Sequence, residues 1–346
     1  MSNDDGGCWA DAVLRDRGSF SRIMELLPLD SERPFVRATA DQPPLTYRQL
    51  GDFVQQTCCR LRGLGIQQSD RVAVAITNGP AAAVSFLAFS AACCYAPLSV
   101  SLSRGELEWT LADLPATALV VAAGTDATDQ RAVARAVGVP VLELQEDPTA
   151  AGMFTLTPDS TAAVPVPRPI RCGEEPAERE HGAPVMMLYT SGTTSKAKLV
   201  PLSDQNLGCA ALCIAKTLEL QPGDVCLNLM PLYHLHGLAV NVLATAVAGA
   251  SVVCAPGLQQ PASFFSIAAA TQVNWYSAVP SIHLSLLEHL EATADLAPPP
   301  LRFIRNCSAA LLPSIAQRME TAFGCAVLAT YAMTECIPYA PAANWL

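Results

Sequence analysis

Residues 185–200 read VMMLYTSGTTSKAKLV. An apolar run, Val185 to Leu188, leads straight into a loop of hydroxyl residues, one glycine and two lysines. The run suits a buried strand, and a loop at a strand's carboxyl end is where open α/β sheets bind ligands. Gly192 lets the backbone approach an anion closely, and successive turn N–H groups form an anion nest. Hydroxyls of Thr190, Ser191, Thr193, Thr194 and Ser195 add donors; Lys196 and Lys198 add charge. The ligand these groups suit is a polyphosphate. The loop is not a Walker loop, because G-x-x-x-x-G-K-[ST] is absent and no helix begins at the lysine. Taken alone, it also reads as a Ser/Thr-rich surface turn.

Strands and helices alternate outward from this loop. LTYRQLGDFVQQTCCRLRGLG (45–65) has Thr46 as N-cap and Leu50, Phe53, Val54 and Leu61 at helical spacing. RVAVAI, TALVVAA and VPVLEL read as strands, with helices at 104–114 and 128–137. Downstream come a helix near 203–217, strand VCLNL, the loop PLYHLHG, a helix and strand SVVC. A helix near 262–270, NWYSAV, a helix near 281–291, LRFIRN, a helix near 313–322 and CAVLATY complete the run. Apolar strands alternating with helices imply βαβ units and parallel sheets covered on both faces. Residues 145–184, rich in Pro, Ala and charge, read as an exposed break in the pattern. The expected fold is α/β with two parallel-sheet lobes: 1–170, an exposed connection at 171–184, and 185–346.

Composition narrows the function classes. The 346 residues are 51% hydrophobic and 15% charged, with net charge −10. That describes a globular chain and argues against nucleic acid or an anionic membrane as main partner. The 13 cysteines include no C-x-x-C pair and no zinc spacing with histidine, so free buried thiols in a reducing compartment are expected. MSNDDGGCWADAVLRDRG (1–18) lacks the apolar core of a secretory signal. The uncharged stretch Gly237–Pro256 is long enough to suggest a membrane span. Asn241, Gly249 and the β-rich SVVC argue instead for a buried helix, a turn and a central strand.

A second cluster, YAMTE (331–335), lies at another expected strand end. Tyr331 offers a ring for stacking, Thr334 a hydroxyl, and Glu335 a hard oxygen for Mg²⁺. TSGTTSKAK, PLYHLHGL, WYSAVPSIH, RFIRNCSAAL and YAMTE, in that order, resemble the adenylate-forming superfamily of acyl-CoA synthetases, peptide-synthetase adenylation domains and luciferases. LTYRQL and YAPL match its early motifs. The resemblance runs from about Leu45 to Glu335, and the phrasing between motifs is most similar to oxalate–CoA ligase-like members.

The resemblance implies ATP-dependent activation of a small carboxylic acid, with oxalate as a candidate, through an acyl-adenylate, with Mg²⁺ and with CoA as acyl acceptor. It implies that Thr190, Ser191, Gly192, Thr193, Thr194 and Lys198 cradle the ATP phosphates, beside Ser195 and Lys196. Thr334 contacts phosphate, Glu335 holds Mg²⁺, and Tyr331 lies beside adenine, walled by Ser308, Ala309 and Ala310. His236 stands at the acyl-substrate entrance, although a hydrogen-bonded loop histidine explains it nearly as well. His234 and His236 lack the third ligand that zinc requires. Trp275, Tyr276 and His283 are candidates for the acid pocket or for core packing. Two departures stand out: Ala197-Lys198-Leu199 replaces Pro-Lys-Gly, which should loosen the loop and strain the turn, and Ala332 replaces a common glycine. The family's ribose-binding aspartate, hinge and small C-terminal domain with its lysine do not follow Glu335. The chain is therefore expected to be C-terminally truncated and, by itself, inactive or impaired as a ligase. A non-catalytic nucleotide-binding paralogue and a luciferase-like oxidase are the other readings. A cytoplasmic location is expected. The ending Asn344-Trp345-Leu346 shows no peroxisomal address, although that destination stays open.

Overall fold

The computed structural model describes residues 20–39, 42–125, 127–159, 180, 182–190, 197–255 and 260–335. Strands β1 (Pro34–Arg37) and β2 (Leu45–Thr46) precede helix α1 (Tyr47–Gly63). Then come β3 (Arg71–Ala75), α2 (Pro80–Ala92), β4 (Cys94–Pro97), α3 (Arg104–Asp113), β5 (Ala118–Ala122), α4 (Thr128–Ala136), β6 (Val141–Glu146) and β7 (Phe154–Pro158). β8 (Pro184–Tyr189) and β9 (Leu199–Ser203) flank the hydroxyl-rich loop. They lead to α5 (Asp204–Thr217), β10 (Val225–Asn228) and a π-helix (His236–Ala244) that continues as α6 (Thr245–Val247). β11 (Ser251–Cys254), α7 (Pro261–Thr271), β12 (Trp275–Ala278), α8 (Pro280–Ala292), β13 (Phe303–Asn306), α9 (Pro313–Phe323) and β14 (Ala326–Ala329) finish the described chain.

Two seven-stranded sheets result, ordered β14-β13-β12-β10-β11-β1-β2 and β7-β6-β5-β3-β4-β8-β9. Pairing is parallel except where β2, β7 and β9 add antiparallel edges. The strands do not sort into sequential lobes. β1 and β2 join the sheet built by the later half, and β8 and β9 join the sheet built by the earlier half. Helix α2 lies between them, packing on β4 and β8 of one sheet and β1 and β11 of the other. Its sequence, PAAAVSFLAFSAA, is apolar on every side, as a helix buried all round must be. Phe86, Leu87 and Phe89 are fully buried, each contributing about 1.5–3 kcal/mol. Ser85 is tolerated because its hydroxyl donates back to Ala82 O.

Local signals hold where the chemistry is local. Thr46 caps α1 in a capping box with Gln49, and Ser203 caps α5 with Asn206. Residues 237–255 of the uncharged stretch form the π-helix, a turn at Gly249 (φ +68°) and β11, a strand inside its sheet. Among the described residues no helix is long and apolar enough to cross a membrane.

Two expectations change. The break at 145–184 is not wholly an exposed connection: β7 pairs antiparallel with β6, and Ala150, Ala151, Phe154 and Leu156 are buried. Alternation in FTLTP turns Phe154 and Leu156 inward. Residues 171–179 and 181 of that connection lie outside the described residues. Nor are all the described cysteines buried: Cys59, Cys209 and Cys213 are exposed, while Cys93, Cys94, Cys226, Cys254 and Cys307 are buried.

The Phe154 ring sits edge-on to Phe53 at 4.9 Å and 6.3 Å from Phe89. Phe154→Ala is expected to cost about 3–5 kcal/mol in urea unfolding. A loss below 1 kcal/mol would contradict β7 as part of the core.

Candidate active site

The hydroxyl-rich loop leaves β8 and returns as β9, with Tyr189 paired to Leu199. Its mouth is closed by two hydrogen bonds. Thr190 N–H donates to Lys198 O at 2.9 Å, and Lys198 N–H donates to Thr190 Oγ1 at 3.1 Å. Thr190 is half-buried and Lys198 exposed. Ser191, Gly192, Thr193, Thr194, Ser195 and Lys196 lie outside the described residues. The strain expected at Leu199 is not seen. Leu199 opens β9 in register, and it is not among the described residues with positive φ.

A polar layer runs across the other sheet. Register places Asn228 (β10), Ser277 (β12) and Arg305 (β13) side by side. Cys226, Trp275 and Phe303 form the apolar layer below on the same face, two residues earlier in each strand. The polar layer therefore ends each strand at its carboxyl side, with the π-helix above it. Asn241 donates to Asn228 Oδ1 at 2.9 Å and to Ser277 O at 3.3 Å. His236 Nε2 lies 2.7 Å from Ser277 Oγ. Residues 236 and 241, five apart, reach the same serine because the π turn closes i to i+5. Gly237 is required at this turn: a Cβ there would stand 2.5 Å from Pro231 O. The loop before it is anchored to the other sheet. Asn78, after β3, donates to Met230 O at 3.0 Å and accepts from Leu232 N–H at 2.8 Å.

His236 is buried, and its second nitrogen, Nδ1, lies 3.0 Å from Ser308 Oγ. Both ring nitrogens are thus engaged by serine hydroxyls. Burial pushes its pKa well below the usual range, and the Arg305 charge, then His283 and His234, push the same way. Arg305 is 1% exposed and donates from Nη1 to Ser277 Oγ at 3.1 Å. Among the described residues no carboxylate forms an ion pair with it.

The remaining expected site residues lie at the ends of β13 and β14. Ser308 is exposed with φ +70°, and Ala309 and Ala310 are exposed beside it. Asn306 Nδ2 donates to Ala309 O at 2.9 Å, while Thr330 donates to Asn306 O from both N and Oγ1 at 3.0 Å. That ties the Ser308 segment to Tyr331. The Tyr331 ring is 79% exposed, Thr334 is half-buried and Glu335 is exposed. Glu335 suits Mg²⁺, which takes one or two protein carboxylates plus substrate phosphates. No hydrogen bond or ion pair among the described residues joins Thr190 or Lys198 to this group. Trp275 and Tyr276 point to opposite faces of β12 and do not line one pocket; Tyr276 meets Phe264 and His283 instead. Sequence reasoning missed Asn78, Asn228, Asn241, Ser277 and Arg305. The available signal was Arg305 itself, a charge inside an otherwise apolar strand.

A match to known proteins follows this layout. The family model described as AMP-binding enzyme covers residues 30–345. The chain belongs to that family. It is 33% identical over 298 residues to an oxalate–CoA ligase of Arabidopsis thaliana, covering 84% of this chain and 56% of that one. A sulfoacetate–CoA ligase of Cupriavidus necator is 28% identical, covering 88% of this chain and 57% of that one. The crystal structure of ATP-bound MatB from Rhodopseudomonas palustris superposes with TM-score 0.76 at 27% identity, over 92% of this chain and 61% of that one. The chain thus spans about half the length of the curated relatives it matches. The expected fold, the large α/β domain of adenylate-forming enzymes, is the one observed.

The buried imidazoles give a pH signature. Burial pulls the His283 pKa from 6.5 down to about 4, and His236 moves in the same direction. Each is neutral when folded and protonates first in the unfolded chain. Their stability contribution is therefore full above pH 6.5 and is lost as pH falls towards 4, by up to about 3 kcal/mol for His283. In a histidine-selective ¹⁵N titration His283 should stay neutral down to about pH 5, and the His236 ring should show no protonation in the ordinary histidine range. A ring titrating near 6.5 would contradict this packing.

Proposed function

We propose that this chain carries the adenylating site of an AMP-forming acid–CoA ligase. The observation that carries the reading is the 3.0 Å contact between His236 and Ser308. One belongs to the motif whose resemblance implies the acid, the other to the motif whose resemblance implies the adenine wall. A carboxylate and a nucleotide bound at these two motifs are neighbours, as an acyl-adenylate requires.

An acid oxygen attacks the α-phosphorus of ATP, and the bond to pyrophosphate breaks. This transfer needs positioning and neutralised charge more than covalent help. Thr190, Ser191, Gly192, Thr193, Thr194, Ser195, Lys196 and Lys198 hold the β- and γ-phosphates, and the pinned mouth at Thr190 and Lys198 keeps the loop's two ends together. Thr334 adds a hydroxyl to the phosphates. The open face of Tyr331 stacks on adenine, opposite Ser308, Ala309 and Ala310. Glu335 would hold Mg²⁺, which neutralises phosphate charge when bound. The CoA thiol then takes the acyl group and AMP leaves. The acid is small. Oxalate and sulfoacetate, named for two relatives, each carry a second anionic group, and the polar layer around His236 offers hydroxyls and a buried cation for one.

The test is ATP–pyrophosphate exchange by the purified chain with Mg²⁺, across oxalate, sulfoacetate, acetate and propionate. Exchange reads the adenylating half-reaction alone and is expected with at least one diacid even where the overall ligase reaction is impaired. Thr194→Val and Lys198→Met are each expected to slow it about tenfold or more, while His236→Ala raises the half-saturating acid concentration. A folded chain that exchanges with no acid would contradict the reading.

A further inference from the structure

Arg305 is a fully buried cation among the described residues, and the preceding reading leaves open how its charge reaches a ligand. Its guanidinium carries five N–H donors; it donates to Ser277 Oγ at 3.1 Å and also meets the Cys307 side chain, a weak sulfur acceptor. No carboxylate among the described residues answers its charge. An uncompensated buried charge is unfavourable, so either the charge serves no purpose or an anion supplied from outside completes it.

Hydrogen-bond bookkeeping gives the direction of its influence. Arginine only donates, so Ser277 Oγ accepts from it. Ser277 is fully buried, and its own hydroxyl hydrogen must go to an acceptor. His236 Nε2, 2.7 Å away, is that acceptor. His236 is then the Nδ1–H tautomer, and Nδ1 donates to Ser308 Oγ at 3.0 Å. Ser308 is exposed, held at φ +70°, and its hydroxyl hydrogen is left to point outward. Every bond in the chain Arg305–Ser277–His236–Ser308 donates in the same sense, away from a permanent positive charge. Such chains polarise one another, and the open end presents a hydrogen to an anion.

We propose that Arg305 is the specificity-determining residue of this site: through Ser277 and His236 it fixes Ser308 as an outward donor and selects acids that bring a second, non-reacting anionic group. This rests on the acid-activating reading above. Arg305 is a positioning residue, because it acts through its neighbours. The reacting carboxylate is common to every acid substrate, so a preference between acids has to come from groups that sense the rest of the molecule. A buried cation relayed to an exposed hydroxyl is such a group.

The experiment is calorimetric titration of the full chain with oxalate, sulfoacetate, acetate and MgATP separately, for wild type, Arg305→Met, Arg305→Lys and Ser277→Ala. Histidine ¹⁵N spectra are recorded on each. Wild type is expected to bind the dianions at least about tenfold more tightly than acetate, the scale of one charge-assisted interaction. Arg305→Met should cut that ratio below about threefold and leave MgATP binding unchanged, while Arg305→Lys restores part of it. Ser277→Ala keeps the charge but breaks the relay, and should lose the preference without unfolding the sheet. His236 should be a single Nδ1–H tautomer in wild type and a mixture in Arg305→Met. Four results would overturn the proposal: an unchanged dianion ratio in Arg305→Met, equal loss for acetate and dianions, loss of MgATP binding with acid binding kept, or an unchanged tautomer. Wild type that binds acetate and dianions alike overturns this inference alone. Wild type that binds no acid overturns the function reading as well.

Discussion

A buried positive charge at the carboxyl end of a parallel sheet shapes this site. Arg305 cannot be solvated where it sits, and the side chains around it are arranged accordingly. Ser277 and Asn228 share its layer across neighbouring strands, and the π-helix supplies His236 and Asn241 from above. Below this layer the same strands turn apolar at Cys226, Trp275 and Phe303. The boundary between core and site is one residue pair deep along each strand, set by the period of two. Burial and the nearby charge together keep His236 neutral, which lets one nitrogen accept and the other donate.

The two sheets depend on each other for this arrangement. Helix α2 is buried on all sides because each sheet covers part of it. Strand exchange between the two halves of the sequence makes them inseparable: β1 and β2 complete one sheet while β8 and β9 complete the other. Asn78 then links the end of β3 to the loop before His236. The hydroxyl-rich loop leaves one sheet and the His236–Ser308 contact lies on the other, so a ligand touching both would report on the packing between them.

Most strands and helices were legible because their signals are local. Apolar runs such as RVAVAI and the N-cap at Thr46 depend on residues a few positions apart. β1 and β2 were not, since PFVR carries Pro and Arg and β2 has two residues. β7 hid in a stretch rich in Pro and Ala. Assignment of strands to sheets could not be read either, because pairing of β1 with β11 joins segments that no local pattern connects. The hydroxyl-rich loop was legible as a motif. The polar layer was not: Ser277 is 41 residues from His236 and 28 from Arg305, and only the register of three strands brings them together. Arg305 stood in view inside RFIRN, but its meaning required knowing that both faces of its strand are covered.

The central claim is that the loop from Thr190 to Lys198 and the Ser308–Ala310 and Tyr331 segments hold two ends of one nucleotide. A crystal structure of the chain with MgATP tests it most directly. The expected result has the β- and γ-phosphates inside the 190–198 loop, adenine between Tyr331 and Ser308–Ala310, and Glu335 on the metal. ATP bound elsewhere, or adenine seated with its phosphates away from the loop, would contradict it.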